Sequence, residues 1–360
     1  MGIRRKRVKW GPHGTRSRTS DAYWKQPLKW NREAAASHRN WEFAISTARS
    51  EYDSVEPYTR PRVFCASLAD IFEDWEGPIV NAKGEKLYKS VAFSSTTEKF
   101  RMTGERRHPL SMSDLRRDLF ALIDQTPHLN WLLLTKRPEN VRRMWDYSRN
   151  KNSRVSQNEG DNIDVFRPNV WLGCSVSDQP TADKYVPELL KLRDLCPVLF
   201  LSAEPLLGAI NLDANYLGIR PWSDEPTMGV IGWVILGGES GSKARPCNLS
   251  WIRSLVEQCS AADVPCFVKQ WGSRPFIDTT GGERYDDHTF HKLSDPKGSD
   301  PEEWPQDIRV REFPKADRMD DPATQEAAKA EVVSLGRMDE ASFVDQTREK
   351  AERIERGEEG

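Results

Sequence analysis

Several familiar signatures are missing from this 360-residue chain. Its six cysteines (65, 174, 196, 247, 259 and 266) are scattered and form no C-x-x-C pair. That pattern fits reduced thiols in a cytoplasmic protein and excludes a disulfide framework. No run of about 18 apolar residues exists, so no membrane-spanning helix is expected. The basic N-terminus lacks an apolar segment behind it and is not a secretory signal. The sequence has no GxGxxG fingerprint, Walker loop, G-x-S-x-G elbow or H-E-x-x-H helix. His288 and His291 lie three apart in a polar stretch without a third ligand, so they read as surface residues and no metal site is expected.

What is present is polar at the ends and apolar in the middle. Charged residues make up 30% of the chain and mean hydropathy is −0.71. The net charge of −2 hides an asymmetry. Residues 1–30 carry nine Lys/Arg against Asp21, whereas residues 315–360 carry thirteen acids against eight bases. The basic segment 4–29 also holds Trp10 and Trp24, so it reads either as a nucleic-acid-binding arm or as a solvated terminus with aromatic tethers. Thr19-Ser20-Asp21 predicts a short helix containing Tyr23 and Trp24, and Trp30 to Arg49 has helical composition.

Six apolar runs follow, each ending in polar residues: Pro61–Ala69, Leu129–Lys136, Val170–Ser177, Val198–Glu204, Trp233–Gly241 and Pro265–Trp271. Helical patterns lie between them at 114–124 (capped by Ser113), 138–145, 181–195 and 249–262 (capped by Asn248 or Ser250). Strands apolar on both faces, alternating with helices, predict βαβ units and a parallel sheet. Without a phosphate-binding loop after the first strand, the reading is α/β, a partial or complete (β/α) barrel of about six parallel strands; an open doubly wound sheet is the alternative. Residues 1–60 form the arm and helix, 61–275 the barrel with an inserted loop at 77–108, 276–314 a polar extension packed on it, and 315–360 a charged helical or disordered tail.

In either architecture the C-terminal strand ends carry the site. They supply Ser67 and Asp70, Lys136 and Arg137, Ser175 and Ser177, Glu204, Gly237-Gly238-Glu239-Ser240, and Lys269-Gln270. Glu204 and Glu239 stand directly beyond buried strands, where a carboxylate must find a partner or face a ligand. Both are catalytic candidates. Asp70, Lys136, Arg137, Lys269 and Gln270 are candidates for pairing with them or binding substrate or an anion.

Trp10-Gly-Pro-His-Gly-Thr-Arg16, Val63-Phe-Cys-Ala-Ser-Leu-Ala-Asp70, Leu132-Leu-Leu-Thr-Lys-Arg-Pro138, Ser202-Ala-Glu-Pro-Leu206, Gly237-Gly-Glu-Ser-Gly241 and Phe267-Val-Lys-Gln-Trp-Gly272 together resemble the phage gp-thirty-seven/gp-sixty-eight family. Its members look like radical S-adenosylmethionine proteins. The resemblance runs over roughly residues 8 to 314. It implies a radical-SAM-type barrel with S-adenosylmethionine and a [4Fe–4S] cluster at the strand ends, where Gly237, Gly238, Ser240 and Ser175 would meet the cofactor. The family's cluster is held by three closely spaced N-terminal cysteines, and this chain has none before Cys65. The expectation is a truncated start or a degenerate member without the cluster. The functional readings are a phage-related radical-SAM-like protein acting on nucleic acid or a nucleotide, a non-enzymatic nucleic-acid-binding barrel, or a cluster-free hydrolase or lyase using Glu204 and Glu239 as acid and base.

Overall fold

The computed structural model of the chain describes residues 15–47, 58–65, 70–97, 100–145, 166–212, 216–217, 231–277 and 289–314, with the backbone alone at 91–106. Ser67, most of the basic arm, the 148–164 and 211–229 connectors for the most part, Gly281-Gly282, His288 and the 315–360 tail therefore lie outside the described residues. The chain divides into two units. Met1–Arg39 with Pro61–Pro314 form the first; Asn40–Arg60 with Lys315–Gly360 form the second, in which the rings of Trp41 and Tyr58 lie 6.4 Å apart.

The elements begin with β1 (Arg16–Ser17), α1 (Asp21–Thr47), β2 (Arg62–Cys65), β3 (Ile79–Val80), β4 (Tyr88–Thr97) and β5 (Phe100–Pro109). They continue through α2 (Met112–Asp124), β6 (Asn130–Thr135), α3 (Pro138–Met144), β7 (Val170–Ser175), α4 (Gln179–Leu190) and β8 (Val198–Ala203). The last are β9 (Trp233–Gly237), β10 (Cys247–Asn248), α5 (Leu249–Ala261), β11 (Cys266–Gln270), β12 (Pro275–Ile277) and β13 (Thr289–Phe290).

Three local expectations change. The two helices expected near the N-terminus are one, α1, which continues through Pro27. An interior proline forfeits a backbone hydrogen bond, but Pro27 lies on the same packed face as Leu28, Ala34 and Trp24, and that burial offsets the loss. The 77–108 insertion is no loop: β4 and β5 pair antiparallel along their whole length. Helix α2 starts at Met112, because Ser111, not Ser113, forms the capping box with Asp114. Asn248 caps α5, accepting from the Ser250 backbone N–H.

Six strands form one parallel sheet in the order β2-β6-β7-β8-β9-β11, which is chain order. Right-handed crossovers that always step the same way put the helices on one face and curl the sheet around the other. A doubly wound sheet would need a reversal of order, and none occurs. The result is a half-barrel. Side chains alternate accordingly. Leu133, Leu172, Cys174, Leu199, Leu201, Val234, Leu236 and Val268 join Val186 of α4 and Ile252 and Leu255 of α5 in one core. Each such aliphatic side chain removed from water contributes roughly 2 kcal/mol. The alternate positions line the inner face with aromatics: Trp171 and Phe200 each lie 5.8 Å from Trp233, which is 6.3 Å from Phe267. Gly173 makes room on that face, since a Cβ there would come within 2.4 Å of the Phe200 ring.

The edge of β11 is occupied by the chain's own later segment. Val268 N–H donates to Val310 O (2.8 Å) and Glu312 N–H to Cys266 O (2.8 Å). Phe313 then packs 5.6 Å from Trp233 and 5.1 Å from Phe267, with the Arg62 guanidinium over its ring.

Candidate functional site at the C-terminal rim of the half-barrel

Strand register gathers part of the expected rim. Ser175 pairs with Ser202, Ala203 with Leu236, and Gly237 with Gln270. Glu204 follows β8 directly and turns through a cis peptide into Pro205. Its carboxylate lies against Gly237, where a Cβ would stand 2.8 Å from Glu204 Oε1. Lys269 Nζ is 3.1 Å from Oε1, and Ser202 Oγ donates to Oε2 at 3.4 Å. The Glu204 side chain is 15% exposed and that of Lys269 55%. The pair is therefore held in place yet reachable from solvent. A bound ammonium or hydroxyl could take the Glu204 carboxylate while a ligand carboxylate takes Lys269.

Glu239 has a different partner. Arg245 Nε donates to Oε2 (2.7 Å), Arg245 Nη2 to Oε1 (3.3 Å), and the Arg245 backbone N–H to Oε2 (3.0 Å). These hydrogen bonds hold the Glu239 carboxyl below the usual carboxylate range. A general acid near neutral pH needs the opposite shift. The loop carrying Glu239 is fixed underneath: Gly238 N–H donates to Gln270 O (3.0 Å) and Gln270 Nε2 to Gly238 O (2.7 Å). Ser240 is exposed at its tip.

The β2–β6 side of the rim forms a separate clasp. Asp70 accepts from Thr135 Oγ1 (2.8 Å), the backbone N–H groups of Phe72 and Lys136 (3.0 Å each) and Arg137 Nη1 (3.0 Å). Arg137 also reaches Glu73, which Arg16 engages with two hydrogen bonds of 2.5 Å. The Lys136 side chain is exposed. Asp70 and Arg137 thus bind each other, while the Lys136 ammonium alone of the three stands free of an ion pair among the described residues. Arg16, part of the basic segment, is spent on Glu73 and on the Trp75 ring, 4.5 Å away.

Sequence reasoning overlooked Ser202, Arg245 and Glu73. Ser202 was legible, being two residues before Glu204 and so on the same face of β8. Arg245 and Glu73 find their partners through loop conformation, which carries no spacing signal.

An iron–sulfur cluster needs three convergent thiolates. The six cysteines sit on different elements, five buried and Cys65 half-buried. Burial pushes the thiols of Cys65 and Cys247 up to about 12 and raises that of Cys174; the hydrogen bond with Cys259, and then burial, raises that of Cys266. Among the described residues no three His, Cys, Asp or Glu side chains are placed to hold a metal ion. The cysteines present do not fit a cluster. No described helix is long and apolar enough to cross a membrane.

No curated protein and no solved structure matches the chain. One family model does, that of a protein of unknown function (DUF5131), over residues 102–327. That span holds β6 through β13, the Glu204–Lys269 pair and the segment sealing β11. Because the match covers more than half of the 360 residues, the chain belongs to the DUF5131 family.

Proposed function

We propose that this protein binds S-adenosylmethionine, or a nucleoside-type ligand with the same zwitterionic end, at the rim around Glu204 and Lys269. The carrying observation is the Glu204–Lys269 pair itself, open to solvent above Gly237 and backed by Ser202. A zwitterion presents both charges that this pair exposes. The phage-related, radical-SAM-like reading rests on the sequence resemblance and supplies the cofactor's identity. Bound S-adenosylmethionine supplies an activated alkyl sulfonium. The chain's contribution is to orient the ligand's charged end. No step through a cluster is assigned, since the cysteines do not fit one. Equilibrium dialysis with labelled S-adenosylmethionine tests the reading. Glu204→Gln and Lys269→Met should each weaken binding about tenfold, the scale of one charge-assisted contact. Absence of saturable binding by the parent chain would sink it.

A second reading, nucleic-acid binding, is favoured by α1, which exposes Tyr23 and Trp30 beside Lys25, Lys29 and Arg32. Stacking aromatics among cations suit a single strand. Replacing Lys25 and Arg32 with Ala should flatten the salt dependence of oligonucleotide affinity; an unchanged slope would remove this face from the interface.

A further inference from the structure

A second recess lies outside the Glu204–Lys269 pair, where the chain leaves β11. Trp271-Gly272-Ser273-Arg274 runs into β12, and β13 returns antiparallel to it before His291-Lys292. Between these stretches is a surface cleft of about 280 Å³, lined among others by Gly272, Arg274, Phe290, His291, Lys292 and Asp295. We propose that this cleft binds the phosphate group of a nucleotide, with Arg274 and Lys292 as the charge partners and Phe290 as an apolar wall for the attached nucleoside.

Charge is the first argument. Arg274, His291 and Lys292 are all exposed, and neither Arg274 nor Lys292 has a carboxylate partner among the described residues. Asp295, the acid in the lining, is consumed internally. Its carboxylate accepts from the Ser299 N–H and hydroxyl (2.5 Å each) and the Lys297 N–H (3.2 Å), and those hydrogen bonds hold it below the usual range. Among the described lining residues Arg274 and Lys292 outnumber Asp295, so they leave the cleft net positive.

Preorganisation is the second argument. The Arg274 guanidinium lies over Phe290, 5.1 Å from the ring centre, so less side-chain freedom is lost when it meets an anion. The backbone on both sides is braced: Cys247 N–H donates to Arg274 O (3.0 Å), His291 N–H to Pro275 O (3.0 Å), and Ser273 N–H to Glu239 O (2.8 Å). The His291 ring is backed by Trp271, their centres 5.5 Å apart. Phe290 is 44% exposed, a large apolar surface beside unpaired cations. Phosphate with an attached base matches that combination; inorganic phosphate uses only half of it. The volume is slightly below the usual range for small-molecule sites, which suits a mononucleotide or one nucleotide of a strand.

The test is isothermal titration of the full chain with AMP, adenosine and a short oligothymidylate. AMP should bind at least tenfold tighter than adenosine, and the Arg274→Ala/Lys292→Ala double variant should lose at least tenfold in AMP affinity. Lys292→Glu should lose more than Lys292→Ala. Both cations are exposed, and matching circular dichroism and urea midpoints check that the variants fold. Oligothymidylate competing with AMP would identify a phosphodiester strand as a source of the phosphate, and AMP binding alone a free nucleotide; either supports the site. AMP binding no tighter than adenosine, or equal AMP affinity in parent and double variant, would overturn it.

Discussion

Gly237 and Gly238 are adjacent, buried and chemically identical, yet alanine should act on them very differently. At Gly238 the new Cβ would lie 2.1 Å from the Trp271 carbonyl oxygen and 2.8 Å from its carbon. Those are backbone atoms, pinned by Trp271 N–H donating to Gly298 O (2.8 Å) and Gly238 N–H donating to Gln270 O (3.0 Å). Gly272, at φ +100°, also packs closely against the Gly238 backbone. Relief requires separating the β9 and β11 loops, an overpacking cost of about 3 kcal/mol or more. At Gly237 the closest atom is Glu204 Oε1 at 2.8 Å, the tip of a side chain that can swing away, while Gln270 Cγ and O at 3.3 and 3.4 Å need give only a few tenths of an ångström. The cost there is roughly the partly exposed Glu204–Lys269 pair, about 1 kcal/mol or less. Thermal unfolding should separate the two: a loss of roughly 6–12 °C for Gly238→Ala and no more than about 4 °C for Gly237→Ala. Gly237→Ala should nevertheless weaken ligand binding at the rim. Equal melting shifts for the two variants would refute this account of how the loops are held.

Two shorter expectations follow from the ionisable groups. The Arg16 hydrogen bonds depress the Glu73 carboxyl and those of Arg245 depress Glu239, so both favour the folded state above the ordinary glutamate value near 4.5. That contribution is lost as pH falls through the depressed folded-state values; urea midpoints followed down to about pH 3 should drop more steeply in the parent than in Glu73→Gln, and parallel curves would contradict the ion pairing. Burial shields these thiols from reagent and raises the pKa of Cys65, Cys174 and Cys247, so iodoacetamide at about pH 8 should leave the native chain largely unmodified while all six cysteines alkylate in denaturant; rapid native labelling of several, read by mass spectrometry, would contradict their placement.

The strands were readable because each is apolar on both faces, and the polar exits of β8 and β11 marked Glu204 and Lys269 before any pairing was visible. Their ion pair follows from register: Gly237 lies beside Gln270, which brings residues 65 apart in sequence together. Glu239 looked equivalent to Glu204 because both follow a buried strand. What separates them is Arg245, six residues on, which folds back through a loop in which Gly241 adopts φ +111°. The 77–108 hairpin was hidden for another reason. Its Ser/Thr-rich and basic residues, such as Ser94-Ser-Thr-Thr97 and Arg106-Arg107, carry no two-period apolar alternation. Pro27 misled in the opposite direction, a local helix breaker overridden by the face it packs against.

Residues 310–312, laid along β11, act as a chain terminator for the sheet. A parallel sheet that stops short of closure offers an unsatisfied row of backbone donors and acceptors, a template on which another copy could grow. Here the polypeptide supplies its own last rung, antiparallel and therefore unable to propagate the parallel ladder, and Phe313 locks it against Trp233. The sheet can therefore stop short of closure without leaving β11 adhesive.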